Sequence, residues 1–301
     1  MEQIQDRSEF LASEPIGRLL LRLAVPAVIA QLVNVLYNII DRVYIGHIPG
    51  IGKLALTGVG VCLPIILVIS AFAALVAMGG APQASIQMGK RDNEKAEEIL
   101  GNCTALMLLF SVVLMAVIFI WCRPLLLMFG ASENTIQYAE PYMRIYTWGT
   151  PFVQLALGLN AFISAQGFTR ASMNSVIIGA LANIILDPIF IFLLDMGPQG
   201  AALATVISQA ISALWMVRFL TSEHTVLHIR RKYLRIDWSI IAPCLALGLS
   251  PFIMQVTESA ISVCFNSSLL RYGGDTAVGA MTILNSLMMF SMMPLRGLTQ
   301  G

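Results

Sequence analysis

The stretch LANIILDPIFIF, residues 181–192, places an aspartate inside an apolar run and a proline directly after it. An acid at the centre of a bilayer costs roughly 2.5–3.5 kcal/mol on insertion scales, so it normally faces the bundle interior or a wet cavity. Pro188 has no amide hydrogen, which leaves the carbonyl of Ile184 without its helical donor. A free carbonyl beside Asn183 and Asp187 is a suitable ligand for a cation, and this segment therefore predicts a polar site within a membrane helix.

The composition of the whole chain agrees with a membrane location. Of the 301 residues, 57% are hydrophobic and 12% are charged, and the mean hydropathy is +0.78. Soluble domains carry roughly 25% charged residues, and a helix needs about 20 mostly apolar residues to cross the bilayer. We therefore expect an all-α polytopic membrane protein. The net charge of +1 gives no reason to expect a nucleic-acid partner. The five cysteines lack the spacing of a metal site, and we expect free thiols packed like small apolar residues.

Apolar runs separated by turn residues predict the helices and the domains. Eight membrane helices are expected at residues 16–46, 54–88, 95–121, 134–165, 170–195, 199–221, 238–270 and 275–301. The corresponding domains are a cytoplasmic N-terminal segment at 1–15, a six-helix lobe at 16–221, a cytoplasmic inter-lobe loop at 222–237 and the first two helices of a second, incomplete lobe at 238–301.

Lysine and arginine residues are concentrated on one side of this topology. They occur in the N-terminal segment, in the link at 89–95, at Arg170 and in the run 230–235, which we expect to be a solvated loop. The positive-inside rule makes this side cytoplasmic and predicts a cytoplasmic N-terminus.

A weak internal repeat relates helix 1 to helix 7. LAVPAVIAQLVNVLYN (23–38) and LGLSPFIMQVTESAIS (247–262) align on Gln31 and Gln255, each with a proline four or five residues upstream. Many transporters are built from such repeats and bind their substrates at the repeat interface. We therefore expect the chain to be the first part of a longer protein.

Polar residues recur on single faces of these apolar helices. In helix 1, Gln31, Asn34, Asn38 and Asp41 fall within about 80° of one another, with Tyr37 beside them. Similar stripes contain Asn160 and Ser164, Asn183 and Asp187, and Thr205, Ser208, Gln209 and Ser212. Alternatives remain open: Asp41 could be an interfacial acid paired with Arg42, and the amides and Thr205 could be interhelical hydrogen-bond partners only.

The segments LAVPAVIAQLVNVLYNIIDRVYIGH (23–47), NIILDPIFI (183–191), GPQGAALATVISQ (197–209) and GLTQG (297–301) resemble multidrug and toxic compound extrusion (MATE) transporters. The resemblance runs along essentially the whole chain. It implies a twelve-helix fold of two six-helix lobes around a cavity, of which this chain covers about eight helices. It also implies a plasma-membrane protein that exports cationic or amphipathic drugs in exchange for Na⁺ or H⁺.

The resemblance assigns roles to individual residues. It implies that Asp41, Asn183, Asp187 and Thr205 form the coupling-cation site and bind the metal if the ion is Na⁺. The implied cavity and substrate residues are Gln31, Asn34, Tyr37, Asn38, Asn160 and Glu258, and the expected hinges are Pro26 and Pro188. We expect no cofactor beyond the coupling ion, no enzymatic activity and a monomer in the lipid bilayer.

Two other functions are less consistent with the sequence. A lipid-linked sugar flippase of the same wider fold needs a cationic groove, whereas the intramembrane charges here are acidic. An intramembrane aspartyl protease needs a Gly-x-Gly-Asp motif, and YGGD (272–275) lies in a predicted link and lacks the first glycine. A scaffold without transport activity would make the polar stripes packing contacts only.

Overall fold

The structure is a computed structural model that describes residues 16–223 and 225–300, with side chains for 24–223 and 225–288. This part of the chain is helical and contains no strand, which confirms the all-α prediction. The helices are α1 (Ile16–Gly46), α2 (Gly52–Gly89), α3 (Asn93–Met128), α4 (Ile136–Trp148), α5 (Thr150–Ala165), α6 (Thr169–Pro188), α7 (Pro198–Leu220) and α8 (Trp238–Gln300). The segment 1–15 and the side chains of 289–301, including the GLTQG sequence, lie outside the described residues.

Six stretches of this part of the chain are long and apolar enough to cross a membrane. They lie in α1, α2, α3, α6 with the turn after it, α7 and α8. The apolar helix α5 is shorter, at 16 residues. The protein is therefore a multi-pass membrane protein, as its composition predicts.

The prediction of one helix over 134–165 is wrong, because two helices meet at Gly149. The amide of Gly149 bonds to the carbonyl of Tyr146 at 2.9 Å, which closes the end of α4. Pro151 then lies in the first turn of α5, where a missing amide hydrogen costs nothing.

The predicted link between helices 7 and 8 is a sharp bend inside α8. Gly274 has φ 64° and ψ −168°, a conformation that glycine adopts without steric cost. Before the bend, Gly248 packs on Leu75 and Ser259 on Pro64, so α8 runs antiparallel to α2. After the bend, the order reverses, since Gly279 packs on Thr57 and Thr282 on Gly60. The chain therefore folds back at Gly274, and α8 consists of two segments, 238–273 and 275–300.

Helix α2 lies at the centre of the bundle and contributes to two buried apolar clusters. One cluster forms around its first half and includes Val61 and Met143, and the other forms around its second half and includes Val76 and Phe162. Four of the five cysteines are buried, as expected for small apolar residues, whereas Cys264 is exposed.

The segment between α7 and α8 is packed against the preceding helices. Gln166 at the end of α5 accepts hydrogen bonds from the Thr225 hydroxyl (2.8 Å) and from the amides of Val226 (3.1 Å) and Leu227 (2.9 Å). Thr225 and Leu227 are fully buried. The arginines that follow are exposed, as the sequence predicts, but the segment as a whole is packed against α5 and α3.

The second half of the segment between α7 and α8 is bound to the start of α3. Glu97 accepts a hydrogen bond from the amide of His228 and forms an ion pair with Arg230. Further along, the amide of Asp237 donates to the Asn102 side chain at 2.7 Å. The Ser239 hydroxyl and amide donate to the Asp237 carboxylate, which lowers its pKa. We call the side of the protein with this segment the linker side; α1 ends at the opposite side.

Candidate cation site

Two buried acids from different helices face each other inside the helix bundle. Asp41 lies near the end of α1 with 9% of its surface exposed, and Asp187 lies at the end of α6 with 0% exposed. Helices α1 and α6 pack side by side, and the two carboxyl groups lie close enough to act on each other electrostatically. Like charges buried this close repel unless a proton or a cation neutralises them.

An amide and a hydroxyl complete the cluster. Asn183 lies one turn before Asp187 on α6, and its Nδ2 donates to Asp187 Oδ1 at 3.2 Å. The same nitrogen lies 3.5 Å from the hydroxyl of Thr205 on α7. That hydroxyl donates to the carbonyl of Ala201 at 3.0 Å, so its lone pairs point away from its own helix turn. The structure therefore brings the four predicted cation-site residues together from three helices.

Three oxygen atoms in this cluster are buried without a hydrogen-bond partner. They are Asp41 Oδ1, Asn183 Oδ1 and Asp187 Oδ2. A buried acceptor without a donor normally costs about 1–3 kcal/mol, so three in one place need an explanation. Carboxylate, amide and hydroxyl oxygens are the ligands that hard cations prefer. The chemistry of this donor set fits Na⁺, and it also fits a proton shared between the two acids. No cluster of three or more His, Cys, Asp or Glu side chains suited to a metal occurs in the described part of the chain.

The polar stripe of α1 continues from this site towards the linker side. Asn38 Nδ2 donates to the backbone oxygen of Asn34 at 2.7 Å and lies 3.2 Å from its side-chain oxygen. Tyr37 lies beside Asn38 and near Gln209 of α7. Gln31 is partly buried and makes polar interactions of its own. These residues form a polar wall between α1 and α7.

Asn160 and Glu258 lie apart from the four-residue cluster. Asn160 Nδ2 donates to the carbonyl of Ser172 (3.1 Å) and to the Ser175 hydroxyl (3.0 Å), which joins α5 to α6. Glu258 lies on an exposed face of α8, whereas the neighbouring Ser259 is buried and donates to the carbonyl of Pro64 at 2.9 Å.

The two predicted hinges have different local structures. Helix α1 continues through Pro26 from Ile16 to Gly46. In contrast, α6 ends at Pro188 and the chain continues as a π-helical turn, Ile189–Leu193. Such turns are rare and often lie at functional sites. Only Pro188 therefore coincides with a change of backbone structure.

Two polar side chains within the bundle were not among the predicted site residues. Gln154 of α5 is fully buried, and its Nε2 donates to the carbonyl of Ile69 in α2 at 2.8 Å. An amide within the apolar run PFVQLAL (151–157) was the available signal. Arg42 donates to the carbonyl of Thr282 at 3.3 Å and to the hydroxyl of Ser286. These partners lie far away in sequence, and no local pattern identifies them.

A helical membrane bundle with two acids buried between its helices is typical of the membrane transport proteins. The comparison with known families makes the assignment specific. The MatE family model matches residues 26–189, which is more than half of the chain. The chain therefore belongs to the MatE family, the MATE multidrug export transporters.

Curated relatives of the chain are multidrug exporters. It is 26% identical over 292 residues to the multidrug export protein MepA of Staphylococcus haemolyticus, covering 97% of this chain and 64% of that protein. It is 23% identical to MepA of Staphylococcus aureus, again over 97% of this chain and 64% of the relative. The chain thus spans 64% of the length of these relatives.

Solved structures agree. A structure of the MATE multidrug transporter DinF-BH, solved as a complex, matches with a TM-score of 0.89 and 35% identity, over 96% of this chain and 64% of that one. A MATE structure in complex with MaD3S matches with a TM-score of 0.81 and 26% identity, over 94% of this chain and 63% of that one.

Proposed function

We propose that this chain carries the coupling-cation site of an antiporter that exports cationic or amphipathic drugs in exchange for Na⁺ or H⁺. The observation that supports this is the set of three buried, unpartnered oxygens on Asp41, Asn183 and Asp187. Because the chain spans 64% of its relatives' length, the proposal concerns the exporter of which this lobe is the first part.

The roles of the four residues follow from their chemistry. Asp41 and Asp187 supply the negative charge that attracts a cation, and their proximity makes the empty, doubly ionised state unfavourable. Asn183 fixes one oxygen of Asp187 by its 3.2 Å hydrogen bond and presents its own oxygen to the ion. Thr205 offers a hydroxyl from α7, so cation binding draws three helices together. Changes in this packing are the proposed link to alternating access.

The proposed cargo is cationic because the site is acidic. A drug cation and the coupling ion are both attracted by Asp41 and Asp187, so each favours release of the other. The relatives are named multidrug exporters, and the related DinF-BH structure is that of a multidrug transporter, which supports a drug as the cargo. The acidic character of this lobe gives no support to a carrier of lipid-linked phosphates.

The remaining features of the proposal concern the membrane. The basic residues of the linker side support a cytoplasmic location for that side and for the N-terminus. The coupling ion, rather than a cofactor, supplies the driving force. We propose that the exporter acts as a monomer in the plasma membrane, with the bilayer around its apolar surface.

The experiment is efflux of ethidium from cells that express the gene with its natural downstream sequence. Loaded cells receive a Na⁺ pulse and then an acid pulse, for wild type, Asp187→Asn and the control Asp195→Asn. Asp195 is exposed beyond the π-helical turn, so the control makes the same chemical change outside the site. We expect cation-driven efflux in wild type and in the control, and its loss in Asp187→Asn at normal membrane insertion. Normal efflux in Asp187→Asn would contradict the proposed site.

A further inference from the structure

Arg42 joins the first lobe to the second at the side opposite the linker. Its guanidinium donates to the backbone carbonyl of Thr282 and to the hydroxyl of Ser286, both in the second segment of α8. Ser286 in turn donates to the carbonyl of Thr282 at 2.9 Å, so both acceptors belong to one turn of α8. One side chain of α1 is therefore hydrogen-bonded to one turn of α8.

The surrounding packing makes this contact close. Gly60 of α2 lies against Thr282, where an added Cβ would come within 2.0 Å of the Thr282 hydroxyl. Gly279, one turn earlier on α8, packs in the same way on Thr57. The turn held by Arg42 is thus seated on the first half of α2, next to the end of α1, where the two lobes touch on this side.

The guanidinium of Arg42 has a counter-charge on the neighbouring residue. A guanidinium stays protonated under all ordinary conditions and needs a counter-charge when it is removed from water. The carboxylate that acts on it is that of Asp41, and the other nearby titratable group is the Tyr142 hydroxyl. Adjacent residues of a helix point about 100° apart, so Asp41 faces Asp187 while Arg42 faces α8. Asp41 therefore serves two partners, the cation site and the arginine.

We propose that Arg42 is a positioning residue that holds α1 against α8 while the Asp41–Asp187 site is empty, and that a cation bound at this site releases the hold. The proposal rests on the proposed function for the identity of the site, but the contact itself does not. A bound cation offsets the charge of Asp41, so the guanidinium loses its counter-charge and its partly buried position becomes less favourable. Coupling of this kind is reciprocal: closure of the α1–α8 contact weakens cation binding by the same factor.

The experiment measures the separation of α1 and α8 by spin labels at His47 and Tyr272, without any transport assay. Both residues are exposed and lie on the side opposite the linker, one just after α1 and one beside the Gly274 bend. The exposed native thiol, Cys264, is replaced by serine so that it does not label. The variants are Arg42→Gln, Arg42→Lys, Ser286→Ala, Asp41→Asn and the double variant Asp41→Asn with Arg42→Gln. The control is Arg218→Gln, the same change at an exposed arginine of α7.

We expect Arg42→Gln to lower the closed population about threefold to tenfold, the range set by interhelical hydrogen bonds in membranes. Ser286→Ala should shift it in the same direction by less, and Arg42→Lys should retain part of the closure because it keeps the charge. Asp41→Asn should match Arg42→Gln, and the double variant should add nothing further, because both remove the same interaction.

Two results would overturn the proposal. An unchanged distance distribution in Arg42→Gln would show that the hydrogen bonds of Arg42 do not hold α1 against α8. A shift in Arg42→Gln but none in Asp41→Asn, or simple additivity in the double variant, would show that Asp41 does not control it. The efflux assay separates this from the proposed function: normal efflux in Asp187→Asn contradicts the cation site, whatever the spin labels report.

Discussion

Asn183 Nδ2 donates a hydrogen bond of 3.2 Å to Asp187 Oδ1, while Asp187 Oδ2 remains buried without a partner. One oxygen of the carboxylate is thus held in place and the other is left for a ligand. Hydrogen-bond partners of this kind orient a coordinating group and tune its affinity. The two residues are one turn apart on α6, immediately before the turn at Ile189–Leu193, so the orientation depends on where the regular helix ends.

The first prediction concerns this hydrogen bond. Asn183→Ala removes both the donor that orients Asp187 and an oxygen ligand, and should weaken coupling-ion binding about 10- to 100-fold. The measurement is the Na⁺ or proton concentration that gives half-maximal efflux. Asn160→Ala is the comparison, since its amide joins α5 to α6 through Ser172 and Ser175. An equal shift in both variants would mean that Asn183 acts only through helix packing.

The second prediction concerns the hydroxyl of Thr205. Thr205→Val keeps the shape of the side chain and removes the oxygen, so ion dependence should weaken, whereas Thr205→Ser should retain it. Addition of the coupling ion should raise the melting temperature of the purified wild type, because an ion that binds only the folded state stabilises it. The same increase in Thr205→Val would remove Thr205 from the proposed site.

A third prediction concerns the crossing of α2 and α8 on the linker side. A Cβ at Gly79 would lie 1.8 Å from the carbonyl oxygen of Cys244, and one at Gly248 would lie 1.8 Å from that of Leu75. The obstructing atoms are backbone, so alanine at either position must push the helices apart. We expect each substitution to cost about 1–3 kcal/mol of stability, as overpacking does in other cores.

Thermal unfolding of the detergent-solubilised protein measures this cost. Gly89→Ala is the matched control, because a Cβ there would meet nothing within 4 Å. Melting temperatures of Gly79→Ala and Gly248→Ala equal to that of Gly89→Ala would show that the two helices do not cross this closely.

The fourth prediction concerns the inter-lobe segment. Glu97 is 5% exposed and binds the amide of His228 and the guanidinium of Arg230. Glu97→Gln leaves Arg230 without its counter-charge and should loosen the segment by about 1–2 kcal/mol. Trypsin should then cleave at 230–232 several times faster, because local opening exposes these bonds. Glu133→Gln changes a side chain that is 81% exposed and pairs with Arg123, away from this segment, and should have little effect. Equal cleavage rates in the two variants would contradict an anchoring role for Glu97.

A fifth prediction concerns the buried amide of α5. Gln154→Leu removes the 2.8 Å hydrogen bond to the carbonyl of Ile69 at nearly constant volume, and should cost up to about 1.7 kcal/mol. Leu155 of the same helix is partly buried against the apolar core, and Leu155→Met is the packing control. The measurement is the melting temperature of each variant. If Gln154→Leu lowers it no more than Leu155→Met does, this hydrogen bond contributes nothing to holding α2 and α5 together.

The sequence by itself determined the class of the protein and predicted the residues of its candidate site. Hydropathy and helical periodicity are local properties of the chain, so they identified the membrane helices and the polar faces that carry Asp41, Asn183, Asp187 and Thr205. They failed at Gly149, because a break within an apolar run does not change its average hydropathy. At Gly274 the predicted separation of two helices agrees with the fold-back of the chain.

Only the tertiary structure decided which polar residues meet. Asn160 and Asn183 are both amides on apolar helices, yet the first is used up by hydrogen bonds between helices and the second keeps a free oxygen beside two acids. Arg42 reaches an acceptor 240 residues away in sequence. Which side chains touch depends on the crossing angles and rotations of packed helices, and these follow from the packing of the whole bundle rather than from any short stretch of sequence.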